Sequence, residues 1–268
     1  MIERLNGPVD PRIKEYTSVA DAKLVREHDL FVAEGRLVVQ RLIEDGRYQI
    51  RSLLLSDTAL RSLEPVIANL DAPIYVCAAG DFRGITGYNI HRGCLALGER
   101  PSASSAADLL AAAQSAIVLE DIANPDNVGG VFRNAAAFGV DAVLLSPACC
   151  DPLYRKAIRT SMAATLRVPY ATIDAWPAAL SDVRGLGFSI VALTPREPAE
   201  DLDRFALQHR SSRIALLVGA EGSGLTEDAE RLADYRVRIP IRDNVDSLNV
   251  AVAAGIAMHR LTCSTAAR

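Results

Sequence analysis

Short apolar runs alternate with amphipathic stretches along most of the chain, and one small polar segment divides them into two groups. In the first group, the pattern predicts strands at 31–34, 50–55, 74–77 and 94–97. Helices are predicted between some of these strands, at 35–44 and 59–70. Alternation of strand-like and helix-like periodicity is typical of a small α/β domain.

The dividing segment begins at Pro101 and is rich in serine and alanine, as is typical of a linker. Within it, Ser105 and Asp108 have the spacing of a capping box, which predicts a short helix through Gln114. We therefore expect a domain at 1–100, a linker with a first helix at 101–114, and a second domain at 115–268.

The second group of apolar runs predicts six strands, at 116–120, 142–145, 168–171, 189–193, 214–218 and 235–239, and a final helix at 248–261. Each run is short and continuously apolar, so both faces of the strand are expected to be buried. That pattern predicts a parallel sheet with helices on both of its sides.

Composition and charge argue against several classes of protein. Half of the 268 residues are hydrophobic, which favours a folded core over disorder. No apolar run approaches the roughly 18 residues of a membrane span, and the first residues lack the apolar segment of a signal peptide. The net charge of −4 argues against bulk attraction to nucleic acid, although local basic patches are compatible with it.

The cysteines and histidines point to no metal and no disulfide framework. The five cysteines include no C-x-x-C pair, and a cytoplasmic location fits such a set. The four histidines show no ligand spacing; they are His28, His91, His209 and His259. No metal site is therefore expected.

Three glycine-bearing segments carry the candidate chemistry, and the first, L1, covers residues 124–135. Asn127 can cap the helix that follows, while Gly129 and Gly130 let another molecule approach the backbone. Free N–H groups at a helix start attract anions, and Arg133, one turn further on, can hold a phosphate. An ordinary capped helix with a surface arginine is the alternative interpretation.

The second segment, L2, covers residues 218–226 and follows an apolar run directly. It matches neither the dinucleotide-binding fingerprint nor the phosphate loop that ends in lysine. Its three glycines require a sharp bend, and Glu221 among them is suited to hold backbone amides or a ligand. The alternative is a tight strand-to-helix turn in which Thr226 is the N-cap.

The third segment, L3, covers residues 239–251, where a strand ends at a proline and a polar loop leads into an alanine-rich helix. Ser247 is a natural N-cap for that helix. Asn249 has no such explanation, because asparagine is unfavourable inside helices. Small residues such as Ala251 and Gly255 allow close packing, and core packing and a ligand site both remain open.

Taken together, the segments N-x-G-x-x-x-R-x-A, G-x-E-G-x-G-L and I-P followed by S-L-N-V resemble the three motifs of the SpoU (TrmH-like) family. These RNA ribose 2′-O-methyltransferases belong to the SPOUT superfamily. The resemblance covers about residues 115–262, with Ala163 in place of a family glycine and Ile241 and Ala251 in place of the common methionine and serine. Segments 31–35 and 91–97 resemble the family's N-terminal RNA-binding module.

The resemblance implies an α/β fold, with a small ribosomal-protein-like RNA-binding domain followed by a SPOUT-type parallel sheet. The C-terminal part of that sheet is implied to form a deep trefoil knot, and the protein to act as a homodimer. S-adenosylmethionine (AdoMet) is implied to bind in the knot loops as methyl donor. The positions that match its site are Thr194, Gly219, Ile239, Ile241 and Leu248.

The resemblance also implies the reaction, methylation of a ribose 2′-hydroxyl in RNA, with ribosomal RNA favoured over transfer RNA by the N-terminal module. Arg133 matches the family's catalytic arginine. Because a guanidinium stays protonated, we expect it to hold a phosphate and the developing alkoxide and not to act as the base. Asn127, Glu221 and Asn249 are expected to orient the ribose and the loops.

Basic residues mark a candidate RNA-binding surface. The run 152–170 contains four cations and no acid, and we take Arg155, Lys156 and Arg159 from it as RNA contacts. Arg36 in the first domain is a further candidate. A solvated helix face is the alternative interpretation of the run.

Two other functions remain to be compared with this one. A dehydrogenase on a Rossmann sheet would need G-x-G-x-x-G after the first strand of the second domain, and residues 119–124 lack it. A catalytically silent RNA-binding protein would have no need to keep Asn127, Arg133, Glu221 and Asn249 together. A transfer RNA 2′-O-methyltransferase is the alternative with the same chemistry.

Overall fold

The computed structural model of the protein describes residues 2–17, 21–86, 93–209, 212–242 and 244–262, so His91 lies outside the described residues. The chain forms two compact units, Met1–Ser102 with Asp151–Leu166, and Ala103–Cys150 with Arg167–Arg268. The sequence pattern placed 151–166 in the second domain, whereas this segment packs within the first unit.

The strands are numbered in chain order. They are β1 (Ile2–Arg4), β2 (Leu30–Glu34), β3 (Ile50–Leu55), β4 (Ile74–Val76), β5 (Cys94–Glu99), β6 (Ser115–Leu119), β7 (Ala142–Leu145), β8 (Tyr170–Thr172), β9 (Ser189–Leu193), β10 (Glu200–Asp201), β11 (Ile214–Val218) and β12 (Tyr235–Arg238). All ten predicted strands are confirmed, with ends that differ by at most two residues.

The α-helices are numbered in the same way. They are α1 (Asp21–Glu27), α2 (Arg36–Asp45), α3 (Asp57–Ile67), α4 (Phe82–Thr86), α5 (Ala106–Ala111), α6 (Pro125–Phe138), α7 (Arg155–Thr160), α8 (Leu180–Gly185), α9 (Leu202–Gln208), α10 (Glu227–Arg231) and α11 (Val250–Thr262). Among the described residues, no helix combines the length and the apolar character needed to cross a membrane.

The first unit is built on a mixed sheet in the order β1-β4-β3-β5-β2. Strands β1, β4 and β3 run parallel, and β5 pairs antiparallel with both β3 and β2. Its core includes Tyr16, whose hydroxyl lies 2.8 Å from the hydroxyl of Ser52. Burial together with that pairing explains why a tyrosine can be fully enclosed there.

The second unit is built on a parallel sheet in the order β10-β12-β9-β11-β6-β7-β8. Every residue of β7 and β11 is buried. Successive side chains of a strand point to opposite faces, so complete burial means that both faces of the central sheet are covered. The predicted parallel sheet is therefore confirmed.

Side-chain caps set where several helices begin. Ser105 caps α5 as predicted, and Thr226 caps α10 as in the alternative interpretation of L2, each accepting a backbone N–H three residues ahead. The prediction that Asn127 caps α6 is wrong, because Asn124 is the cap and Asn127 lies inside the first turn. The proline after Asn124 fits the first helical position, where no N–H is needed, and this moves the helix start three residues earlier.

Helices α6 and α11 pack closely through small residues. A methyl group on Gly130 would lie 2.8 Å from the Cβ of Ala251, and one on Gly255 would lie 2.7 Å from the amide nitrogen of Asn134. The Asn134 amide donates to the carbonyl of Ala251 at 2.7 Å. The small residues of α11 therefore serve packing against α6, and this packing joins the helix of L1 to the helix of L3.

Candidate active site

The three glycine-bearing segments meet at one edge of the second sheet. L1 follows β6, L2 follows β11 and L3 follows β12. These strands are parallel members of the same sheet, so their carboxyl ends lie on the same side. Ligands of open α/β sheets bind at this edge.

Asn249 joins all three segments through its side-chain amide. Its nitrogen donates to Asn127 Oδ1 at 2.9 Å and to Glu221 Oε1 at 2.7 Å. One residue from each segment therefore takes part in a single hydrogen-bonded cluster, which we call the Asn–Glu–Asn cluster.

The orientation of the Asn249 amide follows from the start of α11. Its oxygen accepts the backbone N–H groups of Ala251 at 3.0 Å and Val252 at 3.2 Å, as the side chain of an N-cap does. The nitrogen must then face the two acceptors. The prediction that Ser247 is the cap is thus wrong, and capping explains the asparagine that the sequence left unexplained.

L2 folds back on its own backbone, which accounts for its glycines. A side chain on Gly219 would lie 2.3 Å from the carbonyl carbon of Gly224, and Ala220 and Gly224 form an isolated bridge. Gly222 and Gly224 have φ values of +87° and +69°, a region that glycine adopts without steric cost. The bend places Glu221 at the tip of the segment.

Glu120 anchors the end of L2, although the sequence pattern indicated only that this residue ends a strand. Its carboxylate is 1% exposed and accepts the backbone N–H of Thr226 at 2.8 Å and the Thr226 hydroxyl at 2.7 Å. The indole N–H of Trp176 donates to it at 2.7 Å. A glutamate closing an apolar run was the available signal, but its partners lie 56 and 106 residues away.

A cavity of about 530 Å³ lies beside the Asn–Glu–Asn cluster. All five predicted cofactor residues line it: Thr194, Gly219, Ile239, Ile241 and Leu248. Glu221 also lines it and so belongs both to the cluster and to the cavity wall. Asn127 is only 6% exposed and supports the cluster from inside the protein.

Arg133 is placed differently from the other predicted catalytic residues. It is exposed on α6, and it forms no hydrogen bond or ion pair with the residues that the structure describes. It does not belong to the lining of the cavity. Its guanidinium therefore remains available for a partner from outside the chain.

Residues 114–259, more than half of the chain, match the SpoU rRNA Methylase family. The chain belongs to the SpoU family. An uncharacterized tRNA/rRNA methyltransferase of Mycobacterium bovis is 40% identical to it over 267 residues, which cover 98% of this chain and 92% of the relative.

Solved structures share the fold. The AdoMet-bound rRNA methyltransferase from Sinorhizobium meliloti has a TM-score of 0.84 at 22% identity and covers 98% of both chains. The SpoU methyltransferase AviRb from Streptomyces viridochromogenes, in complex with AdoMet, has a TM-score of 0.80 at 19% identity. The match covers 97% of this chain and 100% of AviRb.

Two of the four predicted RNA contacts of this SpoU family member, Arg155 and Arg159, face acidic partners in the first unit. Arg155 is not a surface residue: its side chain is 11% exposed and lies 3.6 Å from Asp21. Arg159 lies 3.5 Å from the buried Glu34. The run 152–170 contains no acid, but the fold supplies Asp21 from α1 and Glu34 from β2 as partners of these two arginines. Burial disfavours an RNA contact by Arg155, and the RNA contact at Arg159 stays a prediction.

Lys156, Arg159 and Arg36 are exposed in the first unit, and the side chain of Arg159 is 50% exposed. The guanidinium of Arg36 donates to the Ser62 hydroxyl at 2.8 Å, which fixes it without neutralising its charge. In the described parts of the chain, no group of three or more histidine, cysteine or acidic side chains is arranged to hold a metal ion.

Proposed function

We propose that this chain transfers a methyl group from AdoMet to the 2′-hydroxyl of a ribose in ribosomal RNA. The observation that carries the proposal is the Asn–Glu–Asn cluster, which joins L1, L2 and L3 beside a single cavity. Membership of the SpoU family supplies methyl transfer to RNA. The choice of hydroxyl and of RNA goes beyond that membership.

The cavity suits the methyl donor. Its volume of about 530 Å³ lies within the range of about 300–1,000 Å³ typical of small-molecule sites. Gly219, Ile239, Ile241 and Leu248 offer apolar walls and main-chain groups that an adenine ring can use, and Thr194 lines the same cavity. When bound there, AdoMet supplies an electrophilic methyl group on a sulfonium that needs no acid to leave.

The protein's main task is then alignment of the ribose hydroxyl with that methyl group. Asn249 engages one carboxylate oxygen of Glu221, which leaves the second oxygen to accept a hydrogen bond from the ribose. Arg133 binds the neighbouring phosphate, and its charge favours loss of the hydroxyl proton to solvent. Asn127 fixes the amide that aims Glu221.

We also propose a homodimer and a trefoil knot, as the family resemblance implies. Val252 and Ile256 on α11 are 51% and 39% exposed, which supports pairing of two copies through this helix. The knot is supported by the strand order, because the chain crosses from β10 past β9 to β11 and then returns to insert β12 between β10 and β9. Sedimentation analysis tests the dimer: a chain that stays monomeric at micromolar concentration would contradict it.

Methyl transfer from labelled AdoMet to total RNA tests the function. We expect label in ribosomal RNA, in a nucleotide whose 3′-phosphodiester resists alkaline cleavage because its 2′-oxygen is methylated. Label in a base would contradict ribose chemistry, and label confined to transfer RNA would contradict the substrate. AdoMet binding without transfer to any RNA would favour the silent RNA-binding protein.

A further inference from the structure

A buried carboxylate connects two walls of the cavity. Glu230 on α10 is 4% exposed, and its Oε1 accepts the hydroxyl of Thr194 at 2.8 Å. The same oxygen lies 3.4 Å from Arg196 Nη1, and Oε2 lies 3.6 Å from Arg236 Nη2. A buried carboxylate surrounded by a hydroxyl and two guanidinium groups is compensated for its loss of water.

Arg196 extends from the segment after β9 to L2. Its Nη1 donates to the carbonyl of Leu225 at 3.1 Å, and its Nη2 donates to the carbonyl of Ser223 at 3.1 Å. Its backbone N–H also donates to the hydroxyl of Thr194 at 3.2 Å. One side chain therefore fixes two carbonyl groups of L2, while Glu230 fixes that side chain.

The other contacts of L2 include its internal Ala220–Gly224 bridge, the hydrogen bond between Glu221 and Asn249, and the anchoring of its last residue by Glu120. Two of its glycines, Gly222 and Gly224, have no side chain to pack and use backbone conformations that are open mainly to glycine. A loop that samples several shapes binds a ligand with an affinity reduced by the fraction of time spent in the competent shape. Contacts that hold its carbonyl groups therefore act directly on ligand affinity.

We propose that Arg196 and Glu230 are positioning residues that hold L2 in the shape that binds the methyl donor. The inference rests on the proposed function, since it concerns the same cavity. Neither residue is among the positions matched by the family resemblance. Arg196 acts by fixing the L2 carbonyl groups, and Glu230 acts by orienting both Arg196 and the Thr194 hydroxyl.

The test compares AdoMet affinity in the full-length wild type and in Arg196→Met, which keeps the aliphatic stem and loses the donors. By calorimetry we expect the Kd for AdoMet to rise about tenfold, as for a loop that is competent one tenth of the time. The KM for AdoMet rises in parallel, while the KM for RNA and kcat at saturating AdoMet stay near wild type. General unfolding would instead lower activity at any AdoMet concentration and would not change the KM for AdoMet alone.

Three further variants sharpen the result. Arg196→Lys keeps the positive charge toward Glu230 and one set of donors, so it should recover part of the affinity. Glu230→Gln keeps an acceptor for Thr194 but loses the charge that orients Arg196, and it should weaken binding in the same direction. Arg231→Met is the matched control, because Arg231 follows Glu230 on α10 and, among the described residues, forms its ion pair with the exposed Asp228.

An Arg196→Met protein that binds AdoMet as tightly as Arg231→Met would overturn the proposal. A wild-type chain without affinity for AdoMet would instead overturn the proposed function. In that case, hydrogen exchange of the L2 backbone amides tests separately whether Arg196 holds the conformation of L2. Faster exchange in Arg196→Met than in Arg231→Met supports the positioning role, and equal exchange contradicts it.

Discussion

Charged side chains have opposite roles in two regions of the molecule. One region is the carboxyl edge of the second sheet, and the other is residues 152–166 of the first unit, which we call the arginine-rich segment. At the sheet edge, Glu221 accepts a hydrogen bond from the amide of Asn249, which is neutral and therefore does not offset the charge of the carboxylate. In the arginine-rich segment, Arg155 and Arg159 face Asp21 and Glu34, which offset their charge.

The difference shows which kind of sequence pattern determines a site. L1, L2 and L3 combine glycines, caps and strand ends, which restrict the local backbone wherever they occur. A run of cationic residues does not restrict the local backbone, and the partners of its side chains can come from any element that packs against it. Arg155 meets an aspartate that precedes it by 134 residues.

Substitution of the exposed Arg133 is expected to have the largest effect. It tests whether this residue takes part in methyl transfer at the cavity. Arg133→Ala removes the group proposed to stabilise the developing alkoxide, so kcat should fall by about 10²–10³-fold. The Kd for AdoMet should stay near wild type because Arg133 does not line the cavity. Single-turnover methyl transfer and calorimetry measure the two quantities.

Arg204→Ala is the control for Arg133, since Arg204 is an exposed helical arginine that pairs with Glu200 outside the cavity. Near-normal turnover by Arg133→Ala would remove this residue from the proposed site.

Substitution of Asn249 separates its two tasks. Asn249→Ala loses both the cluster and the N-cap, so the free energy of unfolding should fall by about 1 kcal/mol and activity should fall as well. Asn249→Asp still accepts the N–H groups of Ala251 and Val252 but sets a carboxylate against Glu221. We expect Asn249→Asp to keep most of the stability and to lose activity, as judged by urea unfolding and methyl transfer. Equal activity in wild type and Asn249→Asp would show that the cluster is not needed.

RNA binding tests the contrast within the arginine-rich segment. Lys156→Ala should reduce the slope of log affinity against log salt by about 0.7–0.9, the contribution of one phosphate contact. Arg155→Ala should leave that slope unchanged, since its side chain is largely buried against Asp21. Arg155→Ala should instead lower the free energy of unfolding by about 2 kcal/mol, because Asp21 loses the positive charge that lies 3.6 Å from its carboxylate. A slope change with Arg155→Ala would restore Arg155 as an RNA contact.

The smallest expected effect concerns the pH dependence of the Asp21–Arg155 pair. Burial raises the pKa of Asp21 above its usual 3.8, and the charge of Arg155 opposes this only in part. The folded protein therefore holds this proton more tightly than the unfolded chain does. Its contribution to stability is lost as pH rises from about 3.8 through the raised pKa. Asp21→Asn should flatten that part of the pH profile in urea unfolding, and an unchanged profile would contradict the assignment.

Much of the fold follows from local pattern. Strands β7 and β11 begin and end where the apolar runs do, because a fully buried strand must be apolar throughout. The edge strands β1 and β10 have three and two residues, too few for a periodic pattern. Helix α1 was also missed, since its burial in the first unit rests on only two residues.

The sequence by itself determined the parallel sheet, the three bends and the residue types at the candidate site, because glycine, capping residues and apolar runs act on their own neighbourhood. Only the tertiary structure decided that Asn249 caps α11 and bridges Asn127 to Glu221. It likewise decided that Glu120 and Glu230 are buried supports and that Arg155 is not a surface cation. The physical reason is that a side chain's charge and hydrogen bonds depend on partners that folding brings from distant parts of the chain.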